Sequence, residues 1–94
     1  MTVIKPLFPA LLLALLAGCA GQPNGRGACA AQLDAAWAEL DIAKTEGFAG
    51  TVSYTKAVGL LSLAKTQQTI ERFDSCVEKA SRARYYIAQS RQGQ

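Results

Sequence analysis

Three cysteines, at positions 19, 29 and 76, are the most chemically reactive side chains in this sequence of 94 residues. The sequence contains no histidine, which is the commonest general base and a common metal ligand. No C-x-x-C pair or second ligand cluster accompanies the cysteines, so a metal centre is disfavoured. A nucleophilic cysteine would lack the histidine that usually activates it. We therefore expect no catalytic residue, no metal and no cofactor.

The first of these cysteines closes an amino-terminal export signal. Met1–Lys5 carries one positive charge, Leu7–Ala17 is an apolar run interrupted only by Pro9, and small residues precede Cys19. This layout is typical of a secretory signal peptide. Eleven helical residues reach about 16 Å, against roughly 30 Å for the hydrocarbon core of a membrane, so a permanent span is disfavoured.

The four residues that end this signal, Leu16-Ala17-Gly18-Cys19, resemble the lipobox of bacterial lipoproteins. The resemblance implies that residues 1–18 are cleaved as a lipoprotein signal peptide and that Cys19 carries lipid, usually two or three acyl chains such as palmitate. Anchoring by two or more chains is lasting. In that family an aspartate after the cysteine tends to mark inner-membrane retention, whereas this chain has Ala20, so the outer membrane facing the periplasm is favoured. An ordinary signal cut elsewhere would leave Cys19 incidental.

Residues 19–28 are predicted to be a lipidated flexible tether, followed by one small domain over residues 29–94. The segment 21–27 has three glycines, one proline and no large apolar side chain. Such a tether holds the domain about 15 Å from its anchor. Export also brings Cys29 and Cys76 into a compartment that permits disulfides, and with Cys19 lipidated these two remain to pair. A bridge between positions 47 apart would stabilise so small a domain by about 4 kcal/mol.

Apolar periodicity predicts an all-α domain, because strand signals are almost absent after residue 19. Three helical segments are predicted, at about 30–46, 52–69 and 74–91. Gly47 is the expected stop of the first, and Thr51 or Ser53 the expected N-cap of the second. The second segment has an unusually wide apolar surface, which predicts a central helix with a neighbour on each side. The apolar positions are Leu33, Ala36, Trp37, Leu40 and Ala43, then Tyr54, Ala57, Val58, Leu60, Leu61, Leu63 and Ala64, then Phe73, Cys76, Val77, Ala80, Ala83 and Ile87.

The second and third segments form either two helices or one continuous helix, since no glycine or proline separates Leu60 from Arg91. We favour a turn near residues 70–74, because Ser75-x-x-Glu78 matches a capping box. A small bundle of two to three antiparallel helices follows. In an up-down-up order the first and third helices are parallel, which brings Cys29 and Cys76 to the same level. A continuous helix would separate them by about 12 Å, too far for a disulfide.

Part of the helical region distantly resembles a tetratricopeptide-type repeat. Leu60, Leu63, Ala64, Phe73, Cys76, Ala80 and Ala83 approach its spacing of large and small residues, and Trp37-x-x-Leu40 followed by Tyr54, Ala57, Leu61 and Ala64 is similar with a longer hinge. The glycine after the first leucine and the closing proline are missing. The resemblance covers residues 37–83 and implies a helical hairpin of the kind used for protein docking.

The clearest candidate for an interaction surface is a basic and aromatic stretch near the carboxyl end, comprising Arg82, Arg84, Tyr85 and Tyr86. Tyrosine and arginine are enriched at protein interfaces, and basic residues also attract anionic lipid. A solvated helix that ends in basic residues explains the same pattern. Trp37 is expected in the core rather than at a ligand. Export and a modest net charge of +3 disfavour nucleic-acid binding.

These observations predict a membrane-anchored lipoprotein of the bacterial cell envelope with a small, non-enzymatic helical domain for protein interaction or scaffolding. The expected partners are the membrane, through the lipid, and an envelope protein whose identity the sequence does not encode. The alternative is a small envelope inhibitor or an exclusion-type lipoprotein, similar in size to those that inhibit lysozyme or block conjugation.

Overall fold

The computed structural model describes residues 25–94 and contains three α-helices in that range. They are α1 (Arg26–Thr45), α2 (Val52–Thr69) and α3 (Phe73–Ser90), with no strand among the described residues. The all-α prediction is confirmed, as is the turn between the second and third helices, which excludes the continuous-helix alternative. The predicted signal peptide, Cys19 and the first part of the predicted tether lie outside the described residues.

Helices α1 and α3 run parallel and in a fixed register. Three ion pairs join them or their ends, Arg26 to Glu71, Glu39 to Arg84 and Glu46 to Arg91, and the partners in each pair are 45 residues apart. A constant offset along two helices requires that they point the same way. Helix α2, which lies between them in the chain, runs in the opposite direction. This is the up-down-up order that was predicted from the positions of Cys29 and Cys76.

The first helix begins earlier than predicted. Gly25 is its N-cap residue, with a φ of 74° that favours glycine, and Arg26 to Ala28 are already helical. Residues 26–28 of the predicted tether therefore belong to α1. The helix extends to this point because its start packs against the start of α3. A Cβ atom placed on Gly25 would lie 3.5 Å from the Cβ of Phe73.

Helix α2 starts as predicted, whereas α3 does not. The Thr51 hydroxyl accepts a hydrogen bond from the Tyr54 N–H at 3.2 Å, so Thr51 is the N-cap of α2. Helix α3 begins at Phe73 after Arg72, which makes no side-chain cap, so the predicted capping box from Ser75 to Glu78 is wrong. The Ser75 hydroxyl instead accepts a hydrogen bond from the Lys79 ammonium at 3.2 Å, inside the helix.

All three helices end in a Schellman motif, in which a residue of positive φ lets two backbone N–H groups reach back to the last turn. Gly47, the predicted stop of α1, and Gly93 fill this position after α1 and α3. After α2 the position is filled by Glu71, with a φ of 61° that is unfavourable for a side chain with a Cβ. The Glu71 N–H donates to the Gln68 carbonyl at 3.0 Å, and the Arg72 N–H donates to the Gln67 carbonyl at 2.8 Å.

The core is built mainly from small side chains, and six of its thirteen apolar residues are alanine. Side chains of this size allow helix axes to approach closely. On α1 and α3 the buried positions alternate in steps of three and four residues, as in a heptad pattern. The core residues are Cys29, Leu33, Ala36, Leu40, Ala43, Ala57, Leu61, Ala64, Phe73, Cys76, Ala80, Ala83 and Ile87.

Two predictions about the core are wrong. Helix α3 packs extensively against both of its neighbours, whereas α1 and α2 make few contacts with each other, so the central helix is α3 and not α2. Trp37, expected in the core, is 45% exposed, because Ala36 and Leu40 carry the buried face of α1 and the indole lies at its margin.

The predicted disulfide between Cys29 and Cys76 is present. Both residues occupy the fourth position of their helices, their Cα atoms are 5.6 Å apart, and both side chains are fully buried. The bridge therefore fastens the starts of α1 and α3 together. Around it, Arg26 lies 4.8 Å from the centre of the Phe73 ring and pairs with Glu71 at 2.8 Å, which adds polar contacts at the same end of the bundle.

Candidate interaction surfaces

One face of the bundle is a polar contact between α1 and α3, which we call the α1–α3 seam. Its centre is Arg84, whose guanidinium donates to both carboxylate oxygens of Glu39, at 3.0 and 2.8 Å, and to the side-chain oxygen of Gln32 at 3.1 Å. Farther along, the Arg91 guanidinium donates to both carboxylate oxygens of Glu46, at 2.7 and 3.2 Å. Two-point contacts of this type orient both partners.

The charges of the seam stabilise each other. The hydrogen bond from Arg91 lowers the pKa of the Glu46 carboxyl below its usual range, and the positive charge of Arg91 adds to this effect. Hydrogen bonds to the carboxylates likewise raise the pKa of the Arg84 and Arg91 guanidinium groups. The arginines of the seam are thus engaged within the domain, and they hold the register of α1 against α3.

The opposite side of α3 forms a second depression, against α2, which we call the α2–α3 groove. It is lined by Lys56, Gly59, Leu60, Leu63, Arg82 and Tyr86. The groove is mainly apolar, and Leu63 remains 49% exposed within it. The Lys56 ammonium lies 5.3 Å from the centre of the Tyr86 ring, which is a cation–π distance. A positive charge therefore borders the apolar residues of the groove.

The four residues of the predicted interaction surface do not form a single patch. Arg82 and Tyr86 line the α2–α3 groove, whereas Arg84 and Tyr85 border the seam on the other side of α3. The two halves meet only where the Tyr85 and Tyr86 rings contact each other, edge to face, with centroids 5.3 Å apart. Of the two arginines, Arg84 is tied to Glu39, and Arg82 makes only a longer, exposed ion pair with Glu78 at 3.6 Å. The groove half of the predicted surface is therefore the better candidate for binding.

Charge is distributed unequally between these two faces. Helix α2 contains Lys56 and Lys65 and no acidic residue, whereas the acidic residues of α1 and its cap supply the ion pairs of the seam. Within residues 25–94, Lys56 makes no ion pair. The groove consequently combines apolar side chains with basic charge that the domain itself neutralises only in part.

Sequence reasoning did not assign Lys56, Gly59, Leu60 or Leu63 to a binding surface. Two signals were present in the sequence: α2 has more apolar residues than one neighbour can cover, and it lacks acidic residues. The wide apolar surface predicts contact with two helices of the same chain. In the fold one side of α2 packs on α3, and part of the remainder, including Leu63, stays in contact with solvent.

A smaller depression lies between α1 and α2, where these helices make few contacts. It is bordered by Leu33, Asp34 and Trp37 on α1 and by Lys65 and Gln68 on α2. Its position explains the exposure of the indole, since α2 does not close over that side of α1. No polar side chain that is buried here or elsewhere in the described part of the chain lacks a hydrogen-bond partner.

Neither a membrane-crossing helix nor a metal-binding cluster occurs in the described part of the chain. None of the three helices is both long and apolar enough to cross a membrane. Residues 25–94 hold no group of three or more histidine, cysteine, aspartate or glutamate side chains arranged to bind a metal ion. In comparisons with known proteins, no family model, no curated protein and no solved structure matches this chain.

Proposed function

We propose that this chain is a lipoprotein of the bacterial cell envelope, anchored through acyl chains on Cys19, whose helical domain binds an envelope protein and catalyses no reaction. The observation that carries the proposal is the disulfide between Cys29 and Cys76. Disulfides persist in oxidising compartments and are rare in the bacterial cytosol. The bridge therefore supports the export that the amino-terminal signal predicts, from residues that are not part of that signal.

The start of the helical domain lies close to the proposed anchor. Residues 19–24 separate the lipidated cysteine from the N-cap of α1 at Gly25, and six residues span at most about 20 Å when fully extended. As a flexible chain they would hold the domain roughly 13 Å from the anchor. The end of the bundle that carries Cys29, Cys76 and the turn before α3 would then face the membrane. The grooves along the helices would remain accessible from the side.

The binding role is supported by the α2–α3 groove. An apolar depression beside basic charge suits a protein helix, which presents an apolar stripe flanked by polar side chains. A domain that is crosslinked at one end and held in register by the ion pairs of the seam offers this groove in a fixed shape, and a preformed surface loses less conformational entropy on binding. The proposed role is therefore that of an anchored adaptor, placed on the periplasmic side of the outer membrane.

The anchor is tested by Cys19→Ser in a double-membraned bacterium that makes the protein. We expect the parent to incorporate labelled palmitate and to fractionate with the outer membrane, and the variant to lose the label and to leave the membrane or remain unprocessed. Ala20→Asp is the matched control: it keeps the lipid and is expected to move the protein to the inner membrane. A Cys19→Ser protein that is processed and anchored like the parent would refute the proposal.

A further inference from the structure

Gly59 lies on the exposed side of α2, within the α2–α3 groove, and nothing inside the domain explains it. Glycine in the middle of a helix is destabilising relative to alanine. Such a glycine is usually explained by a neighbour that would collide with a Cβ atom. A Cβ placed on Gly59 would meet no atom within 4 Å, and the φ of Gly59 is not positive. The notch that Gly59 leaves between Lys56, Leu60 and Leu63 is thus open to a group from outside the domain.

The basic charge of the groove defines the character of that group. Lys56 and Arg82 are the charged residues that line the groove, and both are cationic. Arg82 pairs with Glu78 at 3.6 Å, and both side chains of this pair are more than half exposed. Exposed pairs of this type contribute little and exchange partners readily. A ligand with carboxylates at the margin of an apolar stripe would complement both the apolar lining and its charges.

We propose that the α2–α3 groove binds one acidic amphipathic helix of another envelope protein, which packs along α2 and α3 as a fourth helix. The lining positions on α2 are 56, 59, 60 and 63, and those on α3 are 82 and 86, so both helices present residues at three- and four-residue spacing. The partner helix places apolar side chains against Leu60, Leu63 and Tyr86. Its backbone approaches closely at Gly59, and its carboxylates pair with Lys56 and Arg82.

A second copy of this chain is the less favourable occupant. In a symmetric dimer through the groove each copy would bring its own Lys56 and Arg82 to the interface. The groove lining holds no acidic residue, and Glu78, beside it, already pairs with Arg82 of the same copy. Like charges placed together in an interface oppose association. This inference rests on the proposed adaptor role and specifies that the partner binds through an acidic amphipathic helix. It does not depend on which membrane carries the anchor.

The test is photocrosslinking in cells with the full chain, using p-benzoylphenylalanine at Leu63 in the groove and at Ser81 beside the α1–α3 seam. We expect the probe at position 63, and not at 81, to crosslink to a protein segment with an apolar stripe flanked by aspartate or glutamate, as identified by mass spectrometry of the digested product. Crosslinks to a second copy of the chain or to phospholipid, or no crosslinked product at 63, would overturn the proposal.

The charges are tested in the same assay with the double variant Lys56→Glu and Arg82→Glu. We expect it to lower the yield of the crosslinked product about tenfold, since two attractive contacts become repulsive. The matched control is Lys44→Glu with Arg72→Glu, which changes the net charge equally outside the groove and should leave the yield unchanged. Carboxylate-to-lysine changes in the identified partner helix should restore the yield with the double variant. Equal loss in both double variants would contradict the proposal.

The steric argument is tested with Gly59→Leu, which fills the notch without removing any helix contact. Because leucine is the better helix former, we expect the melting temperature to stay equal or to rise, while the crosslink yield falls about tenfold. A yield equal to that of the parent would overturn the assignment of Gly59. Membrane fractionation of every variant separates the two proposals. If the protein with the probe at position 63 and no other change is anchored but gives no crosslink, the groove assignment is refuted. If the parent itself is not anchored, the proposed function is refuted.

Discussion

Removal of the disulfide should destabilise this domain by a large fraction of its total stability. The bridge joins residues 47 apart, and fixing a loop of that length in the unfolded chain corresponds to about 4 kcal/mol in the chain-entropy model. A domain of about 70 residues is typically stable by only about 4 to 10 kcal/mol. We therefore expect the double variant Cys29→Ala and Cys76→Ala to melt about 20 °C lower than the oxidised protein.

The assay is urea and thermal unfolding of purified residues 20–94, followed by circular dichroism at 222 nm. The reduced parent is the matched control, because it lacks the crosslink but keeps both sulfur atoms in the core. If the double variant and the reduced parent lose similar stability, the loss comes from the crosslink. If both remain within about 1 kcal/mol of the oxidised protein, the bridge does not constrain the unfolded chain as the model requires, and the reasoning is refuted.

Two further predictions concern residues whose structural roles differ from their sequence patterns. Glu71→Gly should raise the free energy of unfolding by up to about 1 kcal/mol, because glycine accepts the positive φ at the end of α2, whereas Gly47→Ala at the equivalent position of α1 should lower it by about 1 kcal/mol. Urea denaturation measures both, and a loss in Glu71→Gly would show that the ion pair with Arg26 outweighs the backbone strain. Trp37→Ala should lower the free energy of unfolding by well under the 3–5 kcal/mol typical of a buried tryptophan, since the indole is 45% exposed. A blue-shifted Trp37 emission spectrum, typical of a buried indole, would contradict this placement.

Local sequence rules accounted for the helices and for most of their boundaries. Apolar residues at three- and four-residue spacing located all three helices. Gly47 is the stop of α1, as predicted, and the N-cap of α2 is Thr51, one of the two candidates that the sequence offers. These features depend on residues close together in the chain. The capping box at Ser75 failed because α3 begins at Phe73, two residues before Ser75, where the ring and Arg26 hold the start of the helix. That contact links residues far apart in sequence.

The pairing of Cys29 with Cys76 was also predictable, because only two cysteines remain after the proposed lipidation and parallel helices place them at one level. What periodicity cannot predict is which neighbour covers which side of a helix. Helix α2 was expected at the centre, but α3 holds that position, and the side of α1 that carries Trp37 is left at the margin.

The candidate binding surface likewise has features that the sequence predicts and features that depend on how the helices pack. In sequence, Arg82 and Arg84 are two members of one basic stretch, and both were assigned to a single interaction surface. Two residues along an α-helix correspond to a rotation of about 200°, so these arginines lie on nearly opposite sides of α3. The sequence by itself determined that the chain is all-α, with two to three helices, a cysteine pair able to close them and a wide apolar surface on the second helical segment. Only the packing of α3 against both α1 and α2 decided that Arg84 pairs with Glu39 on α1, while Arg82 borders the α2–α3 groove.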